Sequence, residues 1–136
     1  MSLGKIFHPG IASNHNDDQP YSWSCPPYHP PTQRYKNSPV CQALDGRAHS
    51  NVFCPVLVSD QPGGSLPDIE ITETAEEFLS ENHTAPFLLA VGLHKPHVPH
   101  KFPAEFLQFH PYQDIRLPNN SFRPAKGRLS DKKNLG

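Results

Sequence analysis

Apolar residues recur with a helical period between residues 69 and 82. Ile71, Ala75, Phe78 and Leu79 fall at i, i+4, i+7 and i+8, which is one face of an α-helix. Thr74 with Glu77 forms a candidate capping box, Thr72 is an equally good cap, and the helix is expected to stop near Asn82. PFLLAVG, residues 86–92, follows as a short apolar run closed by glycine, the pattern of a strand buried on both faces. Helix followed by buried strand is half of an α/β unit. FPAEFLQFHP, residues 102–111, predicts a second short helix, with Pro103 in its first turn and Pro111 stopping it.

No such period runs through residues 12–68, which hold nine prolines, as in PYSWSCPPYHPP (20–31) and QPGGSLPD (61–68). Only NVFCPVLV, 51–58, predicts a short extended piece. Irregular segments longer than about 12–15 residues are uncommon in compact domains, so this one implies a functional insertion or a chain that is part of a larger fold. After Pro118 the pattern dissolves into a polar, basic stretch ending SFRPAKGRLSDKKNLG, expected to be a disordered tail.

Composition narrows the function. Apolar residues make up 35% and proline contributes 17 of 136 residues, so a core forms only if the few apolar runs are well used. The net charge of −1 gives no reason to expect nucleic acid as a partner. No stretch reaches the roughly 18 apolar residues of a membrane span. MSLGKIFHPG lacks the basic-then-apolar pattern of a secretory signal, so a chain made as written is expected to be cytosolic. Cys25, Cys41 and Cys54 are too few for a disulfide scaffold and lack zinc-finger spacing; they permit one pair and one free thiol. There is no internal repeat.

HKPHVPH, residues 94–100, carries the most suggestive chemistry. It follows the predicted strand directly, and ligands of open α/β sheets sit at strand carboxyl ends. Three readings compete. His94, His97 and His100 would suit zinc, yet Pro96 and Pro99 exclude a helix and no H-E-x-x-H or C-x-x-C completes a site. A proline-rich surface turn that happens to hold histidines is the plainer reading. The third is an anion-binding loop, and LGKIFHPG, residues 3–10, adds to it. Lys5 brings a fixed positive charge and His8 a proton mobile near neutral pH, a pairing suited to an oxyanion. Taken alone, Lys5 reads equally as a solvated charge and His8 as a partly buried ring.

GKIFHPG, NDDQPYSWS, PPYHP, LPD and PFLLAVGLHKPHVP, in this order, closely resemble the lysosomal sulfatases from about Leu3 to Leu117. The resemblance implies that residues 1–118 are part of an N-terminal catalytic domain of alkaline-phosphatase-like α/β fold with an incomplete sheet, and that residues 119–136 are a divergent tail. It implies a sulfuric ester hydrolase, lysosomal in its full-length form, acting on a sulfated glycosaminoglycan with calcium and a formylglycine made from the cysteine of C-x-P-S-R. Lys5 and His8 match G-K-x-x-H and would hold the nucleophile and a sulfate oxygen. His97, of K-P-H-x-P, would bind a sulfate oxygen near the leaving group, held by Pro96 and Pro99. Lys95 is a weaker substrate contact, and His94 and His100 are weaker still. Cys41 and Cys54 match the family's disulfide, worth about 3 kcal/mol for a loop of that size. That leaves Cys25 a free, partly buried thiol.

Departures from the family are as informative. No C-x-P-S-R occurs, and the family's metal-binding aspartates are absent, so neither calcium nor formylglycine is expected on this chain. Asp17-Asp18 lies in the wrong region and reads as a solvated turn. Asn82 and Asn119 head N-x-S/T sequons that the resemblance does not account for. The expectation is an inactive, poorly folded piece of a sulfatase, with one strand and two helices unable to close a sheet. The alternative is a truncated, non-catalytic isoform that acts as a binding or regulatory protein.

Overall fold

The structure, a computed structural model, describes residues 1–8, 10–11 and 14–119. Its strands are β1 (Ser2–Gly4), β2 (Cys41–Gln42), β3 (Ala48–His49), β4 (Phe53–Val56), β5 (Ala90–Gly92) and β6 (His100–Pro103), and its one α-helix among the described residues is α1 (Pro67–Ser80). The chain divides into a unit Met1–Phe106 and a unit from Leu107 onward. The second contains a 3-10 turn at Tyr112–Asp114. The tail reading for 119–136 lies outside the described residues except at Asn119, which is exposed.

Helix α1 arises where the apolar period predicts it, but its caps differ. It starts at Pro67, whose fixed φ suits the first helical position and whose missing N–H is not needed there. Asp68 and Glu70 in the first turn complement the helix dipole. Leu66 at the N-cap gives no side-chain hydrogen bond. Thr72 and Thr74 are not caps: their hydroxyls donate back to the carbonyls of Asp68 and Glu70 inside the helix. The helix stops at Ser80, two residues before Asn82, because Glu81 is extended.

Parallel pairing of β1 with β5 forms one end of the core, in the register Leu3 opposite Val91 and Gly4 opposite Gly92. Helix α1 packs on this pair and buries Ile71 and Ala75 against Leu3. Leu79, predicted to face inward, is 59% exposed. The PFLLAVG run is not buried on both faces either. Only Ala90–Gly92 forms strand, and Phe87, Leu88 and Val91 are exposed. Among the described residues β5 has one strand neighbour, β1.

A second cluster joins Cys41, Cys54, Val56 and Leu66. The Cys41–Cys54 disulfide ties β2 to β4, and Cys25 is a free, partly buried thiol, as the sulfatase resemblance implies. NVFCPVLV supplies β4, as predicted, and β4 pairs in parallel with β6. That pairing overturns the expected helix over 102–111. Phe102 meets Phe53 edge-on at 5.0 Å, Pro103 closes β6 opposite Val56, and a 3-10 turn, Ala104–Phe109, replaces the helix. Cross-strand aromatic contact outweighs the local helical pattern there. The β2–β3 hairpin, with Gly46 at φ 75°, was not anticipated, although Asp45-Gly46 is a known turn signal. The result is mixed α/β with three two-stranded sheets in place of one strand and two helices. No helix among the described residues is long and apolar enough to cross a membrane.

Candidate anion-binding cleft

Two loops leave the carboxyl ends of β1 and β5 side by side. The Lys5 N–H donates to the Gly92 carbonyl at 2.7 Å, so Lys5 and the segment beginning at His94 start from adjacent points. Close approach requires both glycines. Gly4 has φ +70°, and a Cβ there would lie 2.2 Å from the Gly92 oxygen. A Cβ on Gly92 would lie 2.2 Å from the Lys5 oxygen. Backbone atoms cannot yield as a flexible side chain can, so glycine is needed at both places.

The HKPH segment is then fixed by α1. The Asp68 carboxylate accepts the N–H groups of His94 at 2.6 Å and Lys95 at 3.1 Å. His94 Nδ1 lies 3.4 Å from Asp68 Oδ1, at ion-pair range but without hydrogen-bond alignment. Burial works to raise the Asp68 carboxyl. The His94 ring, the two backbone N–H groups and the Lys95 charge outweigh it and hold the pKa below the ordinary value. Burial pushes the Lys95 ammonium below the usual lysine range, opposed by the charge of Asp68. The His97 N–H donates to the His94 carbonyl at 2.8 Å, closing a tight turn, and the His97 ring Nδ1 lies 2.8 Å from the Val98 carbonyl.

These residues line a cleft of about 280 Å³. Lys5 and His8 come from the β1 loop, and His94, Lys95 and His97 from the β5 loop. Two imidazoles of the triplet therefore reach it, where the sequence required only His97. His100 sits on β6 opposite Phe53, so the three histidines do not converge as a zinc site would need. The opposite wall comes from the proline-rich excursion and from β6, as His29, Lys36 and Lys101. None of these was singled out by sequence. His29 stood in the quoted PPYHP without a role, and nothing marks Lys36 or Lys101 in the pattern.

Asp17 supports that wall. It is buried, not a solvated turn: its carboxylate pairs with His29 Nε2, and its carbonyl accepts the Trp23 indole N–H at 3.0 Å. Lys101 is 7% exposed, and its ammonium donates to the Tyr35 and Ser38 carbonyls, each at 3.0 Å.

No carboxylate among the described residues lines the cleft. Ammonium and imidazole groups at that density suit an oxyanion. They do not fit calcium, which takes six to eight oxygen ligands. Three carboxylates bond to residues of the lining: Asp68 accepts the His94 and Lys95 N–H groups, Asp17 pairs with His29, and Glu70 accepts the N–H and hydroxyl of Thr32. Nor does the chain carry the cysteine motif from which formylglycine is made.

Removing the Asp68 charge is expected to loosen this arrangement. In Asp68→Asn the His94 and Lys95 amides should exchange with solvent about tenfold faster at neutral pH, relative to their intrinsic rates. Because the folded-state pKa of Asp68 is lowered, its contribution is present above the unfolded value of about 4 and is lost as pH falls through the folded one. The variant should show no such acid dependence. Equal protection of both amides in the two proteins would count against the clamp.

No protein-family model matches the chain. Over 119 residues, 86% of its length, it is 53% identical to iduronate 2-sulfatase of Mus musculus. The same identity and coverage hold for iduronate 2-sulfatase of Homo sapiens. The aligned part is 22% of each relative, so the chain spans about a fifth of the proteins it matches.

Proposed function

We propose that this chain, homologous over most of its length to one segment of iduronate 2-sulfatase, forms the sulfate-binding wall of a sulfatase catalytic domain. The substrate class is a sulfated glycosaminoglycan, and the group recognised is the 2-O-sulfate of iduronate in heparan sulfate and dermatan sulfate. A lysosomal setting for the whole enzyme follows from the same reading. The observation that carries it is the cleft itself, in which Lys5, His8, Lys95 and His97 meet with no carboxylate among the described residues of the lining.

Each side chain has a defined task. Lys5 places a fixed positive charge against sulfate oxygens. His97, on the short turn closed by its own N–H, offers a ring nitrogen toward the ester oxygen that departs as alcohol. His8 supplies a second imidazole able to hold a proton beside the sulfur. Such groups stabilise charge that grows as the S–O bond breaks. Formylglycine supplies the attacking oxygen in sulfatases, and this chain has no residue to carry it. Binding groups without a nucleophile do not restore turnover, because they act as a unit.

For the chain by itself, this favours binding without hydrolysis. Calorimetry with an iduronate 2-sulfate disaccharide should show saturable binding, weakened about tenfold by Lys5→Gln and by His97→Ala. Sulfate release should equal that of the His97→Ala control. Release above the control contradicts the reading.

A further inference from the structure

The cleft holds more positive charge than one sulfate ester uses. With Lys5, His8 and His97 assigned to that group and Lys95 set beside the Asp68 carboxylate, Lys36 and Lys101 remain. Neither forms an ion pair with a carboxylate among the described residues. Lys101 is the more telling, because buried ammonium groups are costly unless paired. Two of its three donors go to the Tyr35 and Ser38 carbonyls, which leaves one. The Lys95 charge acts unfavourably on it as well.

The geometry continues past these lysines. A second cleft of about 210 Å³ adjoins the first, and Lys36, Val98, Pro99 and Lys101 line both. The rest of its lining is Asn37, Ser50, Asn51 and Val52. Asparagine amides donate and accept as sugar hydroxyls require, and the Ser50 hydroxyl, which donates to the Asn37 carbonyl, keeps acceptor capacity. The two clefts thus form one groove. Fixed cations stand at the first end and again at the shared wall, and neutral polar groups lie beyond. A small inorganic anion needs only the first part. An oligosaccharide with charge on successive sugars matches the whole.

We propose that the shared wall at Lys36 and Lys101 is a subsite for the second anionic group of an oligosaccharide. That group is the sulfate or carboxylate of the sugar next to the one whose ester meets Lys5 and His97. The inference rests on the sulfatase reading and adds residues that set how far along the glycan the groove reads.

The test uses the full chain and three ligands in calorimetry. They are the iduronate 2-sulfate monosaccharide, a disaccharide sulfated only on the uronate, and a disaccharide sulfated on both sugars. The second sulfate should raise affinity about fivefold in the unmodified chain, as expected for one partly exposed ion pair. Raising salt should reduce the gain. Lys36→Gln should abolish the gain and leave monosaccharide affinity unchanged. Lys101→Arg, which keeps the charge and the carbonyl contacts, should retain it. A full gain in Lys36→Gln overturns the subsite. Monosaccharide binding indifferent to Lys5→Gln overturns the sulfatase reading instead, whatever Lys36 does.

Discussion

Gly92→Ala is expected to destabilise the chain by about 3 kcal/mol, the upper end of the cost of overpacking a filled space. The added methyl would lie 2.2 Å from the Lys5 carbonyl oxygen and 2.4 Å from its carbon. Those are backbone atoms, held by the Lys5 N–H to Gly92 carbonyl bond, so relief requires β1 and β5 to separate. Separation uncovers Leu3 and Ile71, the two large apolar side chains most deeply buried in that cluster. It also carries Lys5 away from the HKPH turn, so disaccharide affinity should fall together with stability. Urea unfolding followed by the α1 helical signal measures the first effect, and calorimetry the second. Gly46→Ala is the control: it has positive φ but nothing within 4 Å of the added carbon. It should cost only about 1 kcal/mol and leave binding intact. A Gly92→Ala variant no less stable than the control would contradict the proposed strand geometry.

Loss of the Cys41–Cys54 bond is expected to have a comparable effect, about 3 kcal/mol for its loop of 13 positions. Small domains have roughly 5–15 kcal/mol in all, so this is a large share. The two cysteines are half the buried members of their cluster, whose others are Val56 and Leu66. Leu66 immediately precedes α1, so loosening this cluster frees the start of the helix and with it Asp68. Serine at both positions, or reductant on the unmodified chain, should lower the thermal midpoint by the same amount. Reductant should do nothing further to the double variant. A chain made in a reducing compartment therefore starts from a weaker fold than one made where disulfides persist. Equal midpoints with and without reductant would refute this.

The sequence revealed what is local. The period of Ile71 and Ala75 located α1, and the β-branched NVFCPVLV run located β4. Features decided by distant partners were not legible. Residues 102–111 look helical alone, but Phe102 finds Phe53 across a strand pair. Leu79 and the PFLLAVG run are apolar enough for a covered face, yet too little chain packs over them. Asp17 looked like a turn aspartate because nothing nearby announces His29 as its partner. The cleft followed the same rule. Lys5, His8 and His97 stood out through short motifs and through likeness to sulfatases. Lys36 and Lys101 owe their place to Tyr35, Ser38 and the β4–β6 pairing, which no short motif encodes.

The central claim is that this cleft binds a sulfate ester through Lys5, His8 and His97. Its most direct measurement is a histidine-ring NMR titration of the full chain with iduronate 2-sulfate disaccharide. His49, engaged with Asp45 on the β2–β3 hairpin, and His83, packed against Phe78 and Phe87, lie outside the cleft and serve as internal references. Saturable shifts are expected at His8 and His97 with His49 and His83 unmoved, and those shifts should be lost in Lys5→Gln. Shifts of equal size at all four rings, or none at His97 under saturating ligand, would contradict it.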